Sequence, residues 1–494
     1  MKEGRVPVPE PPRVSLAQAF KFVYNLGKRR PDIFLGFDPE KEPVVRMNGI
    51  DALPRVILVN DPSTIVALEG GKPVPNVTDR FDKVSVANRI FRTVFGENSF
   101  TATNENAKGR SSVMRNLSSS GLEAFGPDIQ RIVMEEVEEK ASSEKSFDIR
   151  ELNTDIAFKT ACTMIFGFDP KEHAEYRERA ECFRENTTRQ EEIALELSSI
   201  PNKRLLKWRQ AQLTGEIEML QKNTRGFVRE LMKDPRIREG SMLSVIAKSE
   251  LPQDQKEAEA AILLFAAFQS TASSMDSMLW QMAKNPDKFE RVRENLGKDG
   301  IGSRPVQDEI KRIVDESSRL TTVIPAAVRG VIDSVEFDGL LYQKGTTVIF
   351  NHAAAGRDKR MWGNDANQFE PDRMLRDGIK ASNILAFGVG PRSCSGRGLA
   401  GFVMKHYMNA LLANGITVEL DKKSPVIINE KTGFPHREMG FIARARDPIN
   451  ATIGQHPGFP SPSKGLGTAS EGHSVSSAEH SASGSGCPFS RLFS

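Results

Sequence analysis

The run Phe387-Gly-Val-Gly-Pro-Arg-Ser-Cys394-Ser-Gly396 sets a single cysteine in a glycine-rich loop, directly before a helical pattern that starts near Arg397. Glycine at 390 and 396 allows tight turns and close backbone approach that a side chain would block. The helix that follows would turn its unpaired first N–H groups toward the sulfur, and the guanidinium of Arg392 adds positive charge two residues away. Both effects favour the thiolate over the thiol. A thiolate so placed can ligate iron axially. A lone cysteine without such surroundings is most often an inert, buried small hydrophobe.

Two further segments carry groups able to support that chemistry. Glu316 and Arg319 stand three apart on a helical pattern, so they share a face and can pair. Such a pair is usually no more than a solvated surface contact. Residues 260–282 are strongly apolar in their first part and contain Phe265-Ala266-Ala267-Phe268-Gln269-Ser270-Thr271. Two alanines leave room beside that helix, and an amide and two hydroxyls follow them.

Taken in order, these segments resemble the cytochrome P450 superfamily of haem-thiolate proteins. The cysteine loop fits F-x-x-G-x-R-x-C-x-G at every fixed position, and the resemblance covers roughly residues 43–445. It implies a mostly α fold with a small β-rich lobe, and a haem b bound in the loop of Phe387 and Gly396 with Cys394 as axial thiolate. It also implies that Arg373, in Phe369-Glu-Pro371-Asp-Arg373-Met, completes a structural ion-pair network with Glu316 and Arg319. Arg329, in Pro325-Ala-Ala-Val-Arg329, matches the family arginine that faces a haem propionate, with Arg392 as the second candidate. Arg115 is a third, although Ser111 stands where the family's helix usually has an aromatic residue.

The long apolar helix resembles the family stretch A-G-x-[DE]-T-T, in which a carboxylate and a threonine pass protons to the oxidant. Here Gln269 and Ser270 occupy those places and Thr271 follows. Glutamine can orient water but cannot act as a positioned acid, and such help is commonly worth roughly 10²–10⁴-fold. The pocket implied by the resemblance is lined by Phe265, Ala266, Phe268, Ile324, Ala326 and Phe434, an apolar set with little to bind a polar head group.

The implied activity is insertion of one oxygen atom from dioxygen into a small or medium-sized apolar molecule, such as a lipid or terpenoid. Electrons would come from a separate donor, an NADPH reductase or a ferredoxin, docking on Lys108, Arg110, Arg115, Arg397 and Lys405. The missing acid keeps open peroxygenase or lipid-hydroperoxide isomerase and dehydratase chemistry. A haem-binding sensor without turnover is the reading from a different class.

Composition and patterning agree with this frame. The 494 residues exceed the ~100–150 of a typical domain several times over. Cations exceed acids by three, with both signs interspersed, which gives no electrostatic footprint for nucleic acid. Four cysteines without CxxC spacing indicate neither a disulfide framework nor a zinc site. Residues 1–42 read as a Pro-rich opening segment and a first helix, 43–445 as the haem domain, and 446–494 as a disordered tail rich in Gly, Ser and His. The expected protein is a soluble, cytoplasmic monomer, with peripheral membrane association or a removed N-terminal anchor as the reservation. Strands are expected at 43–47 and 55–59, between 335 and 348, at 416–420 and at 441–443. A helix opens at Asp61-Pro62, a helical body spans 125–297, and a last helix runs from about 398 to 413.

Overall fold

Two short extended runs, β1 (Val44–Arg46) and β2 (Val56–Val59), pair antiparallel with Val44 opposite Val59. The chain then turns into α1 (Pro62–Glu69). Asp61 caps it by accepting the Thr64 N–H at 2.8 Å, and Pro62 supplies a helical φ where no N–H is needed. The helix stops at Gly70, whose φ of 91° suits glycine. The structure, a computed structural model, describes residues 9–15, 18, 31–47, 55–70, 74–103, 119–143, 146–147, 149–198, 200, 202–300, 302–420, 427–428, 437–438 and 441–445.

After β3 (Phe81–Asp82) and α2 (Val86–Phe95), capped by Ser85, the chain is almost entirely helical. The helices are α3 (Ser119–Ser143), α4 (Ile149–Phe166) after the short β4 (Ser146–Phe147), α5 (Ala174–Ser198), α6 (Lys203–Leu231), α7 (Met242–Lys248), α8 (Gln253–Lys284), α9 (Pro286–Asp299) and α10 (Arg304–Leu320). The chain returns to strands with β5 (Ala326–Val331), β6 (Val335–Phe337), β7 (Leu340–Tyr342) and β8 (Thr347–Asn351). Among the described residues the last elements, after α11 (Arg397–Ala413), include β9 (Ile416–Leu420) and β10 (Phe441–Ala445).

The 32-residue α8 is buried on most of its circumference, so it runs through the interior of the body. It packs against α4, α6, α10 and α11. Phe158, Leu264, Phe268, Met275 and Met408, all without solvent exposure, belong to the resulting core.

The main sheet has the order β1-β2-β8-β5-β3. Strands β2 and β8 pair parallel, Val56 opposite Thr347, while β8 and β5 pair antiparallel with Arg329 opposite Val348. Chain segments almost three hundred residues apart thus become neighbours, and the end of α1 lies beside β5 and the residue after β8.

The mostly helical class with a small sheet lobe holds. Asp338 and Gly339, at φ of 50° and 69°, make the expected tight turn between β6 and β7. Strand β5 went unread, because Ala-Ala-Val-Arg-Gly lacks an alternating pattern. Cys182 is disulfide-bonded, a pairing that the cysteine spacing did not indicate. Most of the Pro-rich opening and all of the Gly/Ser/His-rich tail also lie outside the described residues. Among the described residues no helix is long and apolar enough to cross a membrane.

Candidate active site

Cys394 sits two residues before Gly396, the N-cap of α11, with its side chain exposed. Its N–H donates to the Phe387 carbonyl at 2.7 Å, which folds the loop back on itself. Gly388 and Gly390 take φ of 64° and 70°, where L side chains are strained. A Cβ on Gly390 would also stand 2.5 Å from the Gly70 oxygen and 2.7 Å from the Glu69 oxygen. Gly396 differs from expectation: a Cβ there would lie 3.8 Å from the Cys394 sulfur, an ordinary contact. The tight approach therefore falls at Gly390 and not at Gly396. Arg397 places its guanidinium 5.4 Å from the centre of the Phe387 ring and donates to the Ala381 carbonyl.

The structure brings Glu316, Arg319 and Arg373 together, each fully buried. Arg319 grips Glu316 through two bonds, Nε to Oε2 at 2.8 Å and Nη2 to Oε1 at 2.7 Å, while Arg373 Nε reaches the same Oε1 at 3.2 Å. The Glu370 N–H also donates to that carboxylate at 3.0 Å. The remaining donors of the two arginines go to carbonyls of Gly356, Trp362, Asp365, Ala366 and Gln368 and to the Asp365 carboxylate. Arg376 and Arg373 together hold the Asp365 carboxyl far below its usual range. Three chain segments are thereby fixed upstream of the cysteine loop.

Arg329 is buried on β5, with Nη2 at 3.3 Å from Glu69 and Nη1 on its own neighbour's carbonyl. Burial pushes its guanidinium below the ordinary value, opposed by the charges of Glu69 and Asp82. Arg392 donates to the carbonyls of Ser99 at 3.3 Å and Ala102 at 2.9 Å, and lies 3.9 Å from Asp82. Arg115, Lys108, Arg110 and Phe434 lie outside the described residues.

Along α8, between buried neighbours, Ala266, Ala267, Ser270 and Ser274 are partly accessible. At 3.6 residues per turn they span about 100° of one face. The Ser270 hydroxyl donates to the Ala266 carbonyl at 2.6 Å. Gln269, 8% exposed, directs its amide to the Thr188 hydroxyl of α5 at 3.2 Å, and Thr271 is buried. The buried acids of α8 are occupied elsewhere: Glu257 with Arg229, Glu259 with Ser99, and Asp276 with Asn153.

Phe268 departs from the expected pocket. It lies about 200° around the helix from Ala266, fully buried and edge-on to Phe158 of α4 at 5.5 Å. It is a core residue. Phe265 stacks on Phe95 of α2 at 5.1 Å. Ile324 is 46% exposed and Ala326 partly buried.

The segment 95–102 was not singled out in the sequence. Phe95 meets Phe265, Ser99 donates its N–H to Glu259 at 2.7 Å, and the Ser99 and Ala102 carbonyls take Arg392. It therefore runs from α8 to the cysteine loop. Ser99 and Glu259 are 160 residues apart, and no local spacing announces such a pairing.

An exposed thiol at a helix N-terminus, glycines that admit close backbone approach, a face of small residues on an otherwise buried helix, and two buried arginines are the donor set and shape that a haem requires. The residues present fit the group. Comparison with known proteins points the same way. The family described as Cytochrome P450 matches residues 73–442. Cytochrome P450 94A1 of Vicia sativa is 25% identical over 297 residues, 54% of this chain and 57% of that protein. Cytochrome P450 26B1 of Rattus norvegicus is 24% identical over 313 residues, 58% of this chain and 59% of that one. An iridoid oxidase of Catharanthus roseus is 27% identical over 203 residues, 38% of each. The chain thus spans less than three fifths of the length of these curated relatives.

Proposed function

Because the chain belongs to the cytochrome P450 family, whose members carry haem on a cysteine thiolate, we propose that it is a monooxygenase placing one oxygen atom from dioxygen into a small or medium-sized apolar substrate. The observation that carries this reading is the exposed Cys394 thiol in a loop pinned by its own backbone bond to Phe387 and by the close packing of Gly390.

In this reading Cys394 would hold the iron of haem b, and thiolate ligation would supply the electron density that favours O–O cleavage. Arg329 and Arg392 hold the haem carboxylates, for which the planar guanidinium fork is suited. Ala266 and Ala267 leave space for oxidant and substrate against α8. The Ser270 hydroxyl, bonded at rest to the Ala266 carbonyl, turns outward to hold a proton for the oxidant. Phe265, Ile324 and Ala326 present apolar surface to a lipid or terpenoid substrate. A separate NADPH reductase or ferredoxin supplies the electrons, and Arg397 and Lys405 contribute positive charge to its docking face.

Gln269 favours a second reading. Its amide is spent on Thr188 and the acids of α8 are engaged elsewhere, so the helix brings no positioned acid to Ser270. An enzyme that consumes a peroxide or a lipid hydroperoxide needs no such delivery. The test compares turnover of haem-loaded protein with a surrogate reductase, NADPH and dioxygen against turnover with a lipid hydroperoxide and no reductant. Oxygenated product from the first mixture alone supports the monooxygenase. Product from the second alone replaces it with hydroperoxide chemistry, and oxidant consumption in neither leaves a haem-binding protein without turnover.

A further inference from the structure

Glu69, the last residue of α1, has so far entered only as a partner of Arg329 and as main chain beside Gly390, and its side chain is only 1% exposed. It accepts from Nε2 of His352 at 2.7 Å and from Nη2 of Arg329 at 3.3 Å. His352, 4% exposed, follows the last strand residue of β8, and Arg329 lies on the neighbouring β5. The main chain at Glu69 and Gly70 is what Gly390 packs against, and the ring of His352 lies where a Cβ on Gly388 would come within 4.0 Å of its Cε1. One buried carboxylate therefore ties the end of α1 to β5 and to the residue after β8, and the Gly390 turn of the cysteine loop packs against the main chain beside it.

A carboxylate with so little solvent is expensive unless cations or donors face it. Here both of its oxygens are engaged, and one of its two partners is an arginine already destabilised by burial. Taking Glu69 away would leave that guanidinium with only the Val328 carbonyl and the more distant charge of Asp82. Its position would then be held much less firmly.

We propose that Glu69 is a positioning residue for the haem. It fixes Arg329 and His352 at the haem edge, and its negative charge there favours the oxidised state. This rests on the haem-thiolate reading above. Charge and geometry separate in two substitutions: Glu69→Gln keeps the shape and removes the charge, while Glu69→Asp keeps the charge and withdraws it from its partners by one methylene.

The experiment uses the full-length holoprotein and reads two quantities: the haem reduction potential by spectroelectrochemistry, and the rate of haem loss to an acceptor apoprotein. Glu69→Gln is expected to shift the potential positive with the thiolate spectrum retained. Glu69→Asp is expected to lose haem several-fold faster at a near wild-type potential, and it carries the test if Glu69→Gln does not fold. Wild-type potential in Glu69→Gln, or a wild-type loss rate in Glu69→Asp, overturns the proposal. A wild-type protein with no thiolate-haem spectrum overturns the underlying reading instead, so the two failures are distinguishable.

Discussion

Around Glu316, two fully buried arginines, a backbone N–H and five surrounding carbonyls meet, and each chain segment is held by several bonds. Along the accessible face of α8 the bonding is thin by comparison. Ser270 reaches only a carbonyl of its own helix, and Gln269 turns to Thr188. The first arrangement cannot lose a member without leaving a buried charge uncompensated. The second can exchange acid for amide and threonine for serine with little structural consequence. The scaffold upstream of Cys394 is thus over-determined, while the groups along α8, which the proposed function gives to the oxidant, are free to vary.

The contrast can be broken most forcefully on its rigid side. Arg319→Ala or Arg373→Ala should cost about 3–5 kcal/mol and prevent haem uptake, checked by denaturant unfolding and by Soret absorbance per protein. A stable, haem-loaded Arg373→Ala protein would mean the cluster is not needed. Next is Phe268→Ala, which should cost about 3–5 kcal/mol of stability as a buried aromatic truncation but leave the product profile unchanged. A changed product profile without loss of stability would return Phe268 to the pocket.

On the adaptable side, Gln269→Glu should raise dioxygen-driven turnover, with roughly 10²–10⁴-fold as the ceiling for a positioned acid, and leave hydroperoxide turnover unchanged. Steady-state kcat with each oxidant checks this. The smallest effect lies on α11 behind the cysteine loop. Burial, and to a lesser degree Lys405, depresses the His406 pKa from 6.5 to about 4, with the ring packed on Phe402 at 4.3 Å. The unfolded chain binds the proton first, so stability should fall as pH drops from about 6.5 to about 4. His406→Phe should flatten that slope in denaturant midpoints taken across the window.

Much of the fold could be read from local signals. The Asp61-Pro62 cap, the Asp338-Gly339 turn and the apolar run of α8 each depend on neighbours within a few residues. The Glu316–Arg319 pair is equally local, but Arg373 lies 57 residues beyond Glu316 and could be joined to it only through the family resemblance. The Glu69–His352 bond spans 283 residues and Ser99–Glu259 spans 160. Both depend on strand order and helix packing that no periodicity encodes. Phe268 is a different case: its helical angle from Ala266 was available in the sequence, and it points into the core.

The most direct measurement is the reduced, carbon monoxide-bound absorption spectrum of the haem-loaded protein beside that of Cys394→Ala. A red-shifted thiolate Soret band in the first, absent from the second, is the predicted result. The same band surviving in Cys394→Ala, or never forming in the native chain, would contradict the assignment of Cys394 as the haem ligand.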